Sequence, residues 1–70
     1  MSAEAHTERL LPLPAVLDRT AMKRAKLYAD VAAGTFPKPV RISANRVAWP
    51  ESHVSRWIAQ KIAEATGVVA

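Results

Sequence analysis

Three hydrophobic periods follow one another along the chain, separated by short punctuation. Residues 1–8, MSAEAHTE, show no period and read as a loose polar tail. In LPLPAVLDRT, residues 11–20, Val16 and Leu17 lie on one face with Leu13 leading in. Pro14 suits the first turn of a helix, where its missing N–H would have no partner anyway. The spacing predicts a helix of about two turns, ending near residues 19–20. AMK, residues 21–23, is too short for a loop and leads into a second helix over 24–33. There Leu27 and Val31, four apart, share a face that can pack on the first helix. Gly34 is placed to end this helix in a left-handed conformation. Two short helices joined by so tight a turn form a helix-turn-helix.

The period then changes to two. Pro37 and Pro39 in TFPKPV forbid both a helix and a central strand, so residues 35–39 read as an extended connector, with Phe36 anchored in the core. In VRISANRVAW, residues 40–49, Val40 and Ile42 share one face with Arg41 opposite, and Val47 and Trp49 repeat the pattern beyond a polar turn. This predicts a β-hairpin with its tip near Ala44 and Asn45. PESHVSRWIAQKIAEATG, residues 50–67, returns to the helical period. Pro50 and Glu51 suit its start, Val54, Trp57, Ile58 and Ile62 form its stripe, and Gly67 suits its stop. A two-stranded hairpin is not stable alone, so the third helix is expected to cover its apolar face. The predicted fold is mainly α with a small β-hairpin, a winged helix-turn-helix over residues 9–66. Residues 1–8 and 67–70 form tails.

Charge turns this outline into a function. The chain has 70 residues and a net charge of +4, but residues 19–46 hold seven cations against the single acid Asp30. The flanks are slightly acidic. A basic middle of this kind is the footprint of a polyanion binder. Lys23, Arg24 and Lys26 crowd the first turn of the second helix, the part that approaches base edges when such a helix enters the major groove. Arg24 is the candidate base reader, because its fork can bond both acceptors of guanine. Lys23 and Lys26 suit phosphates, which position without specifying. Tyr28 has two uses open to it: its hydroxyl on a phosphate, or its ring between the second helix and the hairpin. Arg41, Asn45 and Arg46 sit around the hairpin tip as a wing. Arg19 and Lys38 are further phosphate candidates.

Other chemistries find little support. Fifty per cent of residues are apolar, enough for one small core. There is no cysteine, so neither disulfides nor thiolate metal sites arise, and His6 and His53 stand apart from any paired acid. No cofactor or metal is expected, and no serine has a base at a catalytic spacing. Trp49 and Trp57 fall in phase with aliphatic neighbours, which assigns them to the core rather than to base stacking. No apolar run spans a bilayer, no secretory signal opens the chain, and an intracellular, cytoplasmic location is expected. The third helix has too few cations for a membrane surface. A different class of function stays open: a basic module that binds an acidic protein and never touches DNA.

LPAVLDRTAMKRAKLYADVAAGTFPKPVRI, followed by RVAWPESHVSRWI, resembles the AlpA family of prophage and mobile-element regulators across residues 9–62. Its most specific parts are LY…AAGTFPKPV and AWPES. The resemblance implies a small MerR-like or excisionase-type winged helix-turn-helix. Such proteins regulate element genes such as integrases, or act as excisionases that bind and bend attachment-site DNA. It places the recognition helix at residues 23–33 and the wing at 41–46. An integrase becomes a candidate partner, beside attachment-site or promoter DNA. Where the family turn has Gly this chain has Ala21, and where its second helix opens with Ser this chain has Lys23. The cap hydroxyl is replaced by charge, which implies stronger dependence on phosphate attraction and salt. One such domain covers little DNA, so several copies contacting one another through residues 1–8 and 63–70 are expected on adjacent sites.

Overall fold

The computed structural model describes residues 8–67; the tail expectations for residues 1–7 and 68–70 lie outside the described residues. The elements run β1 (Leu10–Leu11), α1 (Leu13–Thr20), α2 (Arg24–Ala33), β2 (Val40–Ser43), β3 (Arg46–Pro50) and α3 (Glu51–Thr66). The three strands form one antiparallel sheet in the order β1-β3-β2. This is a winged helix-turn-helix.

Local chemistry accounts for most element boundaries. Pro14 occupies the first turn of α1, and the Val16 N–H bonds the Pro12 carbonyl at 3.1 Å to start the helix. α1 ends at Ala21, which takes a left-handed conformation at φ 59°. A Cβ makes that conformation costly, so this turn holds strain where glycine would hold none. α2 opens at Lys23 with no side-chain cap and closes at Gly34, φ 84°. There the amides of Thr35 and Phe36 both donate to the Asp30 carbonyl, at 2.9 and 3.2 Å. That closure turns Phe36 back into the core, where it is buried.

Two indoles then hold the connector. Trp49 Nε1 donates to the Pro37 carbonyl at 2.9 Å, and Trp57 Nε1 donates to the Thr35 carbonyl at 3.0 Å. Each bond satisfies both an indole N–H and a connector carbonyl. The core is Leu11, Val16, Leu27, Phe36, Trp49 and Val54, with Trp57, Ile58 and Val31 packed at its margin. Phe36 and Trp57 meet edge to face at 5.0 Å between centroids.

Three features depart from the sequence reading. β1 adds a third strand, pairing Leu10 with Pro50 and Leu11 with Trp49. The hairpin does not bury a continuous apolar face. Trp49 and Ala48 are buried, but Val40, Ile42 and Val47 are 39%, 43% and 41% exposed. α3 packs against β3 rather than across the hairpin. A bulge also breaks the alternation: Arg41 pairs with Val47 but Ser43 pairs with Arg46, leaving Ile42 as the extra residue. Finally, Ile62 is 59% exposed, because α3 runs past the last element able to cover it.

Candidate nucleic-acid interface

α2 is fixed by Leu27, which is fully buried, and by Val31 at the core margin. At about 100° per residue, the ridge opposite Leu27 is Ala25, Ala29 and Ala32, all exposed. Lys26 and Tyr28 stand on either side of that ridge, and Lys23 and Arg24 stand exposed at its N-terminal end. A low alanine ridge between two longer side chains lets the helix backbone come close to a concave surface. The base-reading assignment to Arg24 places it on the flank of the ridge rather than on its crest.

The cations differ in what they touch. Lys26 Nζ lies 3.2 Å from Asp30 Oδ1, one turn along the helix. Lys23 and Arg24 have no ion-pair partner among the described residues. Arg19 faces the other way: its Nη1 is 3.6 Å from Glu51 Oε2 and donates to Ser55 Oγ at 3.2 Å. Arg9 joins the same carboxylate from β1's side, at 3.8 Å. Arg19 therefore ties α1 to α3, and a phosphate would have to compete with Glu51 for it. The Tyr28 ring leans on Trp49, 6.4 Å between centroids, yet the residue stays 43% exposed. It bridges α2 to β3 and keeps surface for a partner.

The wing is closed by the two-residue loop Ala44–Asn45 between paired Ser43 and Arg46. Residues directly opposite in an antiparallel pair share a face, and neighbours along a strand alternate. Arg41 therefore shares a face with Val47, and Arg46 projects from the other face with Ser43. Lys38 is exposed on the connector leading to the wing. From residue 31 to residue 50 the chain carries no aspartate or glutamate.

Sequence reasoning missed two parts of this surface. The exposed Val40, Ile42 and Val47 read as core because alternation reports which residues share a face, not whether anything covers it. The pairing of Arg19 with Glu51 joins distant positions and has no local signal. A shallow groove of about 250 Å³ between the 34–37 loop and α3 is lined by Phe36, His53, Arg56, Trp57 and Gln60 among others. Its lining brings together no carboxylate and base that would form a catalytic set. Among the described residues no cluster of His, Cys, Asp or Glu fits a metal ion, and no helix is long and apolar enough to cross a membrane.

Comparison with known proteins adds sequence relatives to this geometry. No solved structure matches the chain. It is 36% identical over 56 residues to uncharacterized protein ORF88 of Enterobacteria phage P4, a match covering 80% of this chain and 64%, under two thirds, of that protein. It is 34% identical over 59 residues to the DNA-binding transcriptional activator AlpA of Escherichia coli (strain K12), covering 76% of this chain and 84% of that one. The model of the prophage CP4-57 regulatory protein (AlpA) family matches residues 9–62, from the start of the sheet through most of α3, and the chain belongs to that family.

Proposed function

We propose that this protein is a duplex-DNA-binding regulator of a mobile genetic element, with no catalytic activity of its own. The observation that carries the reading is the first turn of α2: Lys23, Arg24 and Lys26 stand exposed at the end of an alanine ridge, on a helix held by the helix-turn-helix. α2 enters the major groove, Arg24 reaches a guanine from the flank, and Lys23 and Lys26 hold phosphates. Tyr28 offers its hydroxyl to the backbone beside them. Arg41, Asn45 and Arg46 bring the wing to the adjacent backbone, and Lys38 adds a phosphate contact. Family membership and the likeness to a DNA-binding transcriptional activator support the same reading.

The regulator works where the element's DNA is, in the cytoplasm, on a promoter or an attachment site. A single module buries only about 600–1,000 Å² of protein surface on DNA. Several copies on adjacent sites therefore supply the discrimination one copy lacks. If they bend the duplex together, the protein also serves as an excisionase that directs an integrase, the bending cost of order 1–6 kcal/mol being shared among copies.

Selection of duplexes from a randomised pool tests the core of this reading. Enrichment of one sequence, with binding that weakens steeply between about 50 and 200 mM salt, is the expected result. No enrichment, together with capture of an acidic protein, supports the protein-binding alternative. Footprinting and a circular-permutation assay test the finer part. One short protected site on straight DNA rules out the excisionase mechanism and leaves an operator-binding regulator.

A further inference from the structure

Two apolar patches stay uncovered at opposite ends of α3. Among the described residues the two most exposed large aliphatic side chains are Ile62, at 59%, and Leu10, at 48%. Leu10 pairs with Pro50, and Val40 pairs with Ala48. Residues directly opposite share a face, and Ala48 and Pro50 are two apart on β3, so all four lie on one face of the sheet. Leu11 and Trp49 take the other face into the core. The outer face is therefore an apolar band across all three strands, exposed at Leu10 and Val40, with Ala48 and Pro50 buried between them. The second patch is the distal half of α3. At about 100° per residue, Ala59, Ala65 and Thr66 stand around Ile62, and all are exposed. Exposed apolar surface rimmed by polar groups marks an interaction site.

Geometry and charge select the occupant. α3 starts beside Pro50 and rises about 1.5 Å per residue, which puts Ile62 roughly 18 Å along the helix from the sheet. A chain cannot bring its own α3 end onto its own band, but the α3 end of a neighbouring copy can reach it. The charges match as well. Arg46 lies two residues from Ala48 on the same face and has no ion-pair partner among the described residues. The last turn of α3 holds no cation, and Lys61 is held by Glu64, so the last carbonyls leave that end negative. Band against band, or helix end against helix end, would set like charge against like. Band against helix end matches opposite charge together with apolar surface.

We propose that the distal end of α3, centred on Ile62, docks on the outer sheet face of the next copy, at Leu10 and Val40, when copies occupy adjacent DNA sites. The proposal rests on the reading that several copies bind DNA side by side, and it names the surfaces that join them. Such a contact is heterologous: each copy offers a helix end on one side and a sheet face on the other, so the array stays open and every copy has the same orientation. The contact is also small. Stable interfaces bury about 800 Å² per partner, far more than three side chains and their neighbours offer. Free chains therefore stay monomeric, and the contact forms only where DNA raises the effective concentration of copies to about the millimolar range.

The test uses duplexes bearing one or two copies of a site that wild-type protein enriches from a randomised pool, the pair set as direct or inverted repeats at graded spacings. Wild-type protein fills a direct repeat cooperatively, the second copy binding about tenfold more tightly than the first, the order expected for partial apolar burial. It fills an inverted repeat without cooperativity. Ile62→Gln and Leu10→Thr each keep the single-site affinity and lose the cooperativity. Both residues are exposed, so the melting temperatures stay within about 3 °C of wild type. Should Leu10→Thr fall further, Val40→Thr, of the same shape as valine, carries the measurement instead. Mixing the two variants is decisive: a Leu10→Thr copy keeps its α3 end and an Ile62→Gln copy keeps its sheet face, so the mixture recovers part of the cooperativity that neither shows alone. No recovery overturns the proposal. Independent filling by wild-type protein at every spacing and orientation overturns it while leaving DNA binding intact. Cooperativity lost with Ile62→Gln but kept by the sheet-face variants overturns it in favour of a symmetric α3 contact. A wild-type dimer in free solution, read by sedimentation, overturns the open arrangement. Wild-type protein that enriches no duplex overturns the DNA-binding reading and this proposal together.

Discussion

The Glu8 carboxylate accepts both the backbone N–H of Ser52, at 3.1 Å, and the Ser52 hydroxyl, although 44 positions separate the two residues. Pro50 gives α3 no side-chain cap of its own, so the chain supplies one from the segment before β1. The Arg9 carbonyl accepts the Glu51 N–H at 2.7 Å alongside it. Orphan amides at the start of α3 thus find partners in residues 8 and 9.

The cap makes stability depend on pH. Hydrogen bonds from the Ser52 hydroxyl and then its amide hold the Glu8 carboxyl below its ordinary value of 4.5, with the His53 charge adding a smaller effect. A lowered folded value means a contribution fully present above 4.5 and lost as pH falls through the folded value. Glu8→Gln should therefore lower the melting temperature at pH 7, with an effect that shrinks as pH falls below 4.5 and through the folded value. Parallel melting curves of the two proteins from pH 7 to pH 3 check this. A gap that does not narrow as the pH is lowered assigns the effect to packing.

The two indoles should differ in cost. Trp49 is fully buried and Trp57 only partly, though each donates one hydrogen bond to the connector. Trp49→Ala should cost about 3–5 kcal/mol, enough to unfold so small a domain. Trp57→Phe keeps a ring against Phe36 and removes the bond to Thr35, a loss of about 1 kcal/mol. Urea denaturation followed by circular dichroism separates them, and equal losses would contradict the burial difference.

Ala21→Gly should stabilise the protein. Relief of the left-handed strain at φ 59° outweighs the extra freedom of glycine in the unfolded chain, leaving about 0.5–1 kcal/mol in favour. Thermal melting of the variant measures it. A lower melting temperature would mean that the turn holds Ala21 without strain.

On DNA, Arg24→Ala should weaken specific binding by about 1–3 kcal/mol and relax the preference at one base pair. Lys26→Ala should weaken all sequences alike and lower the salt slope by about one. Arg19→Ala should shift the melting temperature and leave that slope nearly unchanged, because its guanidinium is engaged by Glu51 and Ser55. Titrations of cognate and random duplexes at several salt concentrations distinguish the three. An unchanged cognate-to-random ratio for Arg24→Ala removes it as a base reader.

What the sequence discloses here is what lies close together in it. The helix-turn-helix, the hairpin and α3 follow from periods of 3.6 and 2 and from the stops at Gly34 and Gly67. Lys23, Arg24 and Lys26 were legible for the same reason, as a cluster of one charge on one turn. β1 was hidden because a pair of leucines ahead of Pro12 has no period, and its partner strand lies far along the chain. The Glu8 cap and the Arg19–Glu51 pair were hidden in the same way. The exposed Val40, Ile42 and Val47 show a different limit. Their alternation is correct to either side of the bulge, but burial depends on a neighbour that α3 does not become.

The Glu8–Ser52 bond and the β1–β3 pairing also set an order of events during synthesis. Residues 8–11 leave the ribosome first, and their partners at 49–52 follow some forty residues later. At about 5–20 residues per second that delay is on the order of seconds, long against the microseconds in which a helix or hairpin forms. Leu10 and Leu11 spend this interval without a strand to join, and α1 and α2, too short to be stable alone, wait for the same core partners Trp49 and Val54. The nascent chain thus exposes a short apolar segment to chaperones, and translation speed sets how long it does so.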